Sequence, residues 1–400
     1  MKELFSISLL FLLAILTGQI KHDTLQPDAS QDTIIVRDNT LPVSKGSIQA
    51  DEKPQYINIG DVVKMSGHWF IAYRDGYAQT QADEITNSNH VSSVFLKRSY
   101  FTLEKDLNET FSVRYTQDIT VDTEGDDAGN VETRLKYLYV RAKPKLNIGW
   151  MTDLWMEGGM VHRPWLDYEQ KINTYRAQDN MAIERNKIFN SADFGFTIGG
   201  NIGPKMDSKD KHLNGAMKGK YLSYVFGIYN GGGYSGAEKN TNKVIAGRVS
   251  VRPFAERFPE LQLSGYFNLG KGNSPYNPDF KQYLGFLAYT GKNLTLTGQY
   301  HTGVGDFRAK YVEENDPSKA LENHGYSFFG EYKIGETPWA IWGRHDAFTV
   351  ENGNNDEISR YIGGISYKYN KNIRLILDTE HTTQGDETDD VYELTLEVIF

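Results

Sequence analysis

Residues 391–400 read Val-Tyr-Glu-Leu-Thr-Leu-Glu-Val-Ile-Phe and carry a two-residue alternation. Side chains alternate across a β-strand, so one face holds Tyr392, Leu394, Leu396, Val398 and Phe400. The opposite face holds Glu393, Thr395, Glu397 and Ile399. Such alternation, with an aromatic residue at one rim, suits a strand with one face in lipid and the other in a wet lumen. The stretch therefore predicts the closing strand of a transmembrane β-barrel.

The same alternation continues upstream, from Asp61 to the end of the sequence. Roughly sixteen such segments are separated by turn residues, without a long helical stripe. In lipid every backbone N–H and C=O must be paired, so a spanning sheet closes on itself. The sequence predicts an all-β fold, an antiparallel barrel of about 16 strands. Its last strand, 391–400, is expected to pair with the first, near 62–74.

The predicted connections alternate in length, as in a barrel with short periplasmic turns and long external loops. The short ones include 106–108, 143–144, 291–292, 335–337 and 370–371. The long ones include 75–93, 122–130, 229–242, 303–323, 348–357 and 383–390. Two connections, 201–218 and 252–260, are too long for periplasmic turns. A soluble sandwich has no reason to sort its loops in this way.

Composition agrees with a barrel without requiring one. The 25 Tyr, 20 Phe and 6 Trp suit aromatic girdles at the two membrane interfaces. The absence of Cys excludes disulfides, thiolate metal sites and cysteine nucleophiles. A soluble or surface-attached all-β glycan-binding protein would share this composition and stays open as an alternative.

The N-terminus predicts export. Lys2 precedes an apolar run from Leu4 to Leu16, which indicates a signal peptide over 1–18. Residues 19–60 are polar and lack periodicity, so we expect a flexible periplasmic segment. The barrel domain is expected over 61–400, in the bacterial outer membrane.

A terminal strand ending in an aromatic residue resembles the sorting signal of outer-membrane barrels. Short segments at Phe95–Leu103, Leu135–Val140, Phe226–Tyr234 and Trp342–Asp346 also resemble the phosphate-selective porin O and P family. The resemblance covers about 62–400 and implies a sixteen-stranded porin, commonly trimeric, with a third loop folded into the pore. The family pattern has two adjacent arginines on the second strand, where this chain has Lys97 and Arg98.

The best candidate for a pore constriction is the longest strand-poor segment, 152–193. A loop of this length is usually functional or disordered, and Trp, Tyr and Arg are poor choices for disorder. Its candidate solute-binding residues are His162, Arg163, Lys171, Arg176, Arg185 and Lys187. The alternative is an external loop that packs on the barrel rim.

A second set of candidates lies on the predicted strands. The expected pore-lining basic residues are Arg98, Arg114, Arg134, Lys136 and Arg344. Together they could steer anions, because arginine binds phosphate and carboxylate through two parallel hydrogen bonds. The alternative is a wall network in which inward carboxylates neutralise them, and the net charge of −9 does not favour an anion channel.

Other chemistry has little support in the sequence. Residues 122–130 have the oxygen-rich look of a calcium loop but not its twelve-residue spacing, so a solvated external loop is preferred. No catalytic constellation, metal site, cofactor motif or nucleic-acid patch is predicted. His345 and Asp346 are adjacent on one strand and so face opposite ways.

The sequence thus predicts an outer-membrane porin for passive diffusion of small hydrophilic solutes, with an anion or phosphate bias. The expected partners are outer-membrane lipid, the solutes and two further copies in a homotrimer. Two alternatives from other classes are the glycan-binding protein and an outer-membrane hydrolase.

Overall fold

A computed structural model of the chain describes residues 63–78, 89–121, 129–146, 149–206, 213, 216–353 and 357–400. The predicted signal peptide (1–18), the N-terminal segment (19–60) and most of the acidic stretch 122–130 lie outside these residues.

Sixteen antiparallel strands form a closed barrel, in the order β1-β18-β17-β16-β15-β14-β11-β10-β9-β8-β7-β6-β5-β4-β3-β2. The strands are β1 Lys64–Ala78, β2 Asn89–Asp106, β3 Phe111–Val121, β4 Val131–Ala142, β5 Met151–His162, β6 Ala192–Ile202, β7 Leu222–Tyr229, β8 Val244–Val251, β9 Leu261–Lys271, β10 Asp279–Thr290, β11 Leu294–Val304, β14 Glu322–Lys333, β15 Trp339–Val350, β16 Ile358–Lys368, β17 Ile373–Gln384 and β18 Glu387–Ile399. Strands β12 (Val312–Glu313) and β13 (Asp316–Ala320) form a separate two-stranded sheet. The two short helices are α1, Leu166–Gln170, and α2, Ala182–Arg185. The predicted fold class is confirmed.

The barrel closes where the sequence predicted, through pairing of β18 with β1. Gly67 and Phe400 exchange two backbone hydrogen bonds, at 2.9 and 3.1 Å. The Phe400 ring meets Trp69 edge-on, with the ring centroids 4.9 Å apart. It also covers Gly67, where a side chain would collide with the ring. Phe400 therefore joins β18 to β1 through its backbone and covers the junction of the two strands with its ring.

The outer face carries the apolar side chains of the alternating pattern. Exposed apolar residues recur on every side of the barrel, among them Trp69, Phe196, Ile245, Leu287, Phe328, Ile365 and Leu377. On β18 the inward residues Glu393, Thr395 and Glu397 are buried. Among the described residues, no helix is long and apolar enough to cross a membrane. An apolar belt around a closed sheet is the surface that a lipid bilayer requires.

Two β-bulges explain why β2 and β4 alternate poorly. Phe70 pairs with Arg98 and Ile71 with Leu96, so Lys97 is an extra residue in β2. A bulge breaks the two-residue period. Both Lys97 and Arg98 therefore bond to inward carboxylates. In β4 the extra residue is Lys136, and it is buried together with its neighbour Tyr137.

The connections sort to two ends of the barrel. The end that holds Phe400, here called the turn end, has the connections 107–110, 252–260, 291–293, 334–338 and 369–372. The opposite end, the loop end, has 163–191, 230–243, 272–278 and 305–321.

Three predictions about the strands and connections were wrong. The predicted short connection 143–144 spans 143–150, since β4 ends at Ala142 and β5 begins at Met151. The predicted strand-poor segment 152–193 begins too early, since residues 152–162 belong to β5. A bulge between Thr152 and Trp155 interrupts the alternation of β5, so the sequence pattern did not indicate a strand there. The predicted long loop 383–390 is a two-residue turn, 385–386, since β17 continues to Gln384 and β18 begins at Glu387. The ends of both strands carry polar side chains, so the sequence pattern did not distinguish them from a loop.

The hydrophobic core lies inside the barrel. One cluster joins wall residues of β8 to β10, such as Phe280 and Phe286, to Trp165, Ile183 and Phe189 of the connection 163–191. A second cluster joins Phe70, Phe329, Trp342, Ile362 and Ile376 to Tyr175 and Ala177 of the same connection. This explains the apolar residues on both faces of 280–290 and 358–369: one face meets the outer surface and the other packs on the inner connection.

Candidate functional site

The connection between β5 and β6, residues 163–191, is here called the third loop. Its base is closed by the Arg163 backbone N–H, which donates to the Ser191 carbonyl at 3.0 Å. Trp165, Leu166, Met181 and Ile183 are almost completely buried, as in a packed core. The loop contacts inward side chains on two separate sections of the wall, so it lies in the lumen.

On the first section, β8 and β9 hold the beginning of the loop. Arg248 Nε donates to the Pro164 carbonyl at 2.9 Å. The Arg248 guanidinium also lies 4.1 Å from the centre of the Tyr168 ring. The hydroxyls of Tyr168 and Ser264 are 2.8 Å apart. A buried arginine that donates to a loop carbonyl fixes the loop's path more strictly than apolar packing alone.

On the second section, Tyr175 and Arg185 hold the loop against β14, β16 and β17. The Tyr175 hydroxyl lies 3.0 Å from Glu331 Oε1 and 2.8 Å from Ser366 Oγ. Arg185 donates through both terminal nitrogens to the Glu380 carboxylate, one of them at 3.0 Å. Such a fork is the strongest geometry for a guanidinium and a carboxylate. The Arg185–Glu380 pair is therefore the loop's main polar attachment to β17.

Two cations meet at one hydroxyl beside the third loop. Lys136 Nζ and Arg176 Nη2 each donate to the Tyr100 hydroxyl at 3.2 Å. The Lys136 ammonium also lies 4.5 Å from the centre of the Tyr100 ring and 5.5 Å from that of Tyr234. Within the described residues, no carboxylate lies in ion-pair distance of Lys136 or Arg176. We call these four residues the tyrosine–cation cluster.

The other predicted wall cations are paired with carboxylates. Arg98 lies 2.7 Å from Asp118, and Arg134 is 3.5 Å from Asp118 and 3.2 Å from Glu132. Arg114 lies 3.5 Å from Glu104. Arg344 pairs with Asp346 on the same strand. These four arginines therefore fit the alternative in which inward carboxylates neutralise the wall cations. Lys136 does not fit it, because it has no carboxylate in ion-pair distance among the described residues.

A cavity of about 970 Å³ opens at the turn end and reaches the third loop. We call it the turn-end cavity. Its basic lining residues are Arg114, Lys136, Lys171, Arg176, Lys292, Lys333, Lys368, Lys371 and Arg374. Its acidic lining residues are Asp167, Glu331, Glu336 and Glu397. Nine cations against four carboxylates give this cavity a positive excess inside a chain whose net charge is −9.

The predicted third-loop residues fall in different places. His162, which is the last residue of β5, Lys171 and Arg176 line the turn-end cavity, with Lys171 paired to Asp167 at 2.5 Å. Arg163 is buried instead, near the rings of Phe189, Tyr229 and Phe280, and it donates to Asn268. Arg185 is held by Glu380, and Lys187 is exposed with a φ of 56°.

Sequence reasoning missed Tyr100, Tyr234 and Lys97, whereas it placed Glu380 correctly among the inward carboxylates. Tyr234 reaches the cluster from the connection 230–243, and nothing local in the sequence indicates that contact. Lys97 was missed because strict alternation turns it outward. Only the β-bulge brings it to Glu393 and to the Gln178 carbonyl.

Among the described residues, no group of three or more His, Asp or Glu side chains is arranged to hold a metal ion. No protein-family model matches the chain. No curated protein matches it either.

Solved structures do match. One is an anion-selective porin from Comamonas acidovorans, at 11% identity and a TM-score of 0.58, covering 84% of this chain and 99% of that one. Another is OmpF of Salmonella typhi in complex with daunomycin, at 12% identity and a TM-score of 0.55, covering 86% and 99%. A third is the trimer form of in-vitro folded OmpT, an outer membrane protein of Vibrio cholerae, at 10% identity and a TM-score of 0.51, covering 84% and 99%.

These matches show that the chain has the sixteen-stranded fold of bacterial porins. The predicted location in the bacterial outer membrane agrees with them. The resemblance to the phosphate-selective family holds only at this coarser level, since no family model matches. A closed barrel with an apolar outer belt does not suit the soluble form of the glycan-binding alternative.

Proposed function

We propose that this chain is an outer-membrane porin through which small hydrophilic solutes diffuse passively, with a preference for anions. The observation that carries the proposal is the basic lining of the turn-end cavity, which ends at the tyrosine–cation cluster. Charge along a lumen concentrates ions of the opposite sign, and lining charge and width set the selectivity of a channel.

The cavity's carboxylates add little negative field. Asp167 pairs with Lys171, Glu336 with Lys292, Glu397 with Arg374, and Glu331 lies 3.8 Å from Lys333. Lys136, Arg176, Lys368 and Lys371 remain without an ion pair to any described residue. These four cations account for the positive excess that would attract anions.

Three finer points belong to the same proposal. Phosphate is one candidate solute, because lysine and arginine donors suit its oxygens. A homotrimer is the proposed assembly, since the Vibrio cholerae OmpT of the same fold has a trimer form. The channel works without a reaction or a cofactor, because diffusion through a wet lumen needs neither.

Selectivity is tested with the full chain reconstituted in planar bilayers under a KCl gradient. The zero-current potential should show chloride preference in the unmodified protein. K136E/R176E should lower the chloride-to-potassium permeability ratio at least ~3-fold, since one unit charge ~8 Å away contributes ~0.5 kcal/mol even in water.

The matched control is K145E. Lys145 is an exposed lysine of the turn end that does not line the cavity, and it pairs with Glu109. This variant should keep the unmodified ratio. Potassium preference in the unmodified protein would contradict the anion preference. A reconstituted barrel without conductance would contradict the channel itself, and ester or peptide hydrolysis by that barrel would favour the hydrolase alternative.

A further inference from the structure

A second cavity, of about 170 Å³, lies beside the turn-end cavity. This side cavity lies between the inner faces of β4 to β8 and the first residues of the third loop. His162, Asp167 and Lys171 line both cavities and so form the partition between them. The side cavity is therefore a recess off the proposed solute path.

Every carboxylate that lines the side cavity is already bound by a cation. Glu157 accepts hydrogen bonds from Arg141, one of them at 2.7 Å. Asp167 lies 2.5 Å from Lys171. Asp153 lies 2.8 Å from Lys205. Each acidic group that lines the recess is thus already paired with a cation.

Four lining cations remain without a carboxylate in ion-pair distance among the described residues: Lys143, Arg163, Lys218 and Arg248. Lys143 and Lys218 are exposed, whereas Arg163 and Arg248 are buried. Partial desolvation lowers the pKa of Lys218, the Asp153 carboxylate opposes this shift, and the positive charges of Lys143, Lys171 and Lys205 add to it. The recess therefore has an excess of positive charge.

Asn201 supplies an independent observation. It lines the recess and is only 4% exposed. Its Oδ1 accepts a hydrogen bond from Ser223 Oγ at 2.7 Å, whereas its buried Nδ2 has no partner. A buried donor without an acceptor costs free energy, so natural proteins seldom leave one unpaired. A ligand that pairs with Asn201 Nδ2 must therefore accept a hydrogen bond from it.

We propose that the side cavity binds one small oxyanion of the sulfate or carboxylate class. The anion accepts a hydrogen bond from Asn201 Nδ2, and its charge offsets part of the excess positive charge of Lys143, Arg163, Lys218 and Arg248. A volume of about 170 Å³ holds such an ion with a few waters, each of which occupies ~30 Å³ in the liquid. The site goes beyond the proposed solute path, because it binds in a recess rather than along the channel.

The test is equilibrium dialysis of the detergent-solubilised full chain against radiolabelled sulfate at low ionic strength. We expect saturable binding of one sulfate per chain. K143Q/K218Q should weaken binding ~10-fold or more, because a hydrogen bond to a charged group is worth ~1.5–3 kcal/mol. N201L should weaken it in the same direction by removing the unpaired donor. K145Q, a lysine of the same connection outside the recess, is the matched control and should bind as the unmodified chain does.

Absence of saturable sulfate binding would overturn the proposal. So would equal affinity in K143Q/K218Q and the unmodified chain, because Lys143 and Lys218 are exposed and their loss should leave the fold intact. The zero-current potential of the same preparation in KCl tests the channel separately, so loss of the site and loss of conduction are distinguishable.

Discussion

Glu169 of the third loop is a buried carboxyl group whose pKa is raised. It lies in α1, is 5% exposed and accepts a hydrogen bond from Trp165 Nε1 at 2.8 Å. Burial raises the pKa of Glu169 to about 7, although Arg344 and the Trp165 hydrogen bond act in the opposite direction. Asp346 and Glu184 add to the rise. The carboxyl group is therefore neutral in the folded protein at pH values where an exposed glutamate is ionised.

The sign of the effect on stability follows from linkage. Between pH 4.5 and about 7 the folded chain holds a proton on Glu169 that the unfolded chain has lost. The free energy of unfolding should therefore fall as pH rises through this window, by at most ~3 kcal/mol. E169Q keeps the acceptor for Trp165 and should remove this fall. Urea unfolding of the full chain in detergent, repeated from pH 4 to 8, measures it.

The control for this measurement is E314Q, at an exposed glutamate of the connection 305–321. It should leave the pH dependence unchanged. An E169Q profile that parallels the unmodified one would show that Glu169 does not carry the effect.

At the scale of one element, the third loop behaves as an internal core with polar attachments. Two hydrophobic clusters pack it against separate sections of the wall. The Arg185–Glu380 pair, with Gln178 Nε2 3.1 Å from Glu380, attaches its later half to β17. Because both side chains of the pair are largely buried, removing one partner leaves a charge that water solvates poorly.

A double-mutant cycle tests this attachment. R185M and E380Q should each lower the free energy of unfolding, and the double variant should lose less than their sum, with a coupling of ~1–3 kcal/mol. Each single variant should also increase current fluctuations in single-channel records, because the loop is held less firmly. Urea unfolding and bilayer recording provide the two measurements.

The exposed Lys64–Asp106 pair, with a separation of 3.0 Å, is the matched comparison for the cycle. The coupling in K64M/D106N should be ~0–1 kcal/mol, as is usual for surface ion pairs. An Arg185–Glu380 coupling within that small range would mean that apolar packing alone holds the loop.

At the scale of the whole molecule, stability depends on closure. β18 pairs with both β17 and β1, so it has no free edge. Removing residues 391–400 would expose the backbone groups of both neighbours to lipid, where no water can satisfy them. The truncated chain should fail to form a compact, SDS-resistant species whose mobility changes on boiling.

The control is a ten-residue Gly/Ser insertion between Asn352 and Gly353, which are exposed in the connection between β15 and β16. Exposed connections tolerate insertions, so the compact species should persist. A compact, SDS-resistant form of the truncated chain would contradict the dependence on closure.

Much of the barrel could be predicted from local pattern. Alternation along 391–400 placed Glu393 and Glu397 inside and Leu394 and Leu396 outside, because lipid and lumen impose opposite demands on successive side chains. The short connections at 291–293 and 369–372 were predicted as 291–292 and 370–371, since turn residues interrupt the alternation there. The strand within 152–162 was not, because its bulge breaks the period.

The candidate site was less accessible to sequence reasoning. Arg176 and Lys136 were identified as basic residues in plausible positions, but their shared acceptor, Tyr100, lies on another strand. Arg185 was identified as a solute-binding candidate, yet it is bound by Glu380, 195 residues away in sequence. Contacts across such separations depend on where the third loop packs, which no local period encodes.

By itself, then, the sequence determined a sixteen-stranded antiparallel barrel, its closing strand and the sorting of most of its connections, because each follows from local alternation and turn residues. Only the tertiary structure decided which cations remain unpaired, how the third loop fills the lumen and where two cavities are left. The physical reason is that charge neutralisation and core packing are settled between residues far apart in the chain. Lys97 is an example: the sequence shows its charge, but only the β-bulge in the folded barrel turns its side chain inward to Glu393.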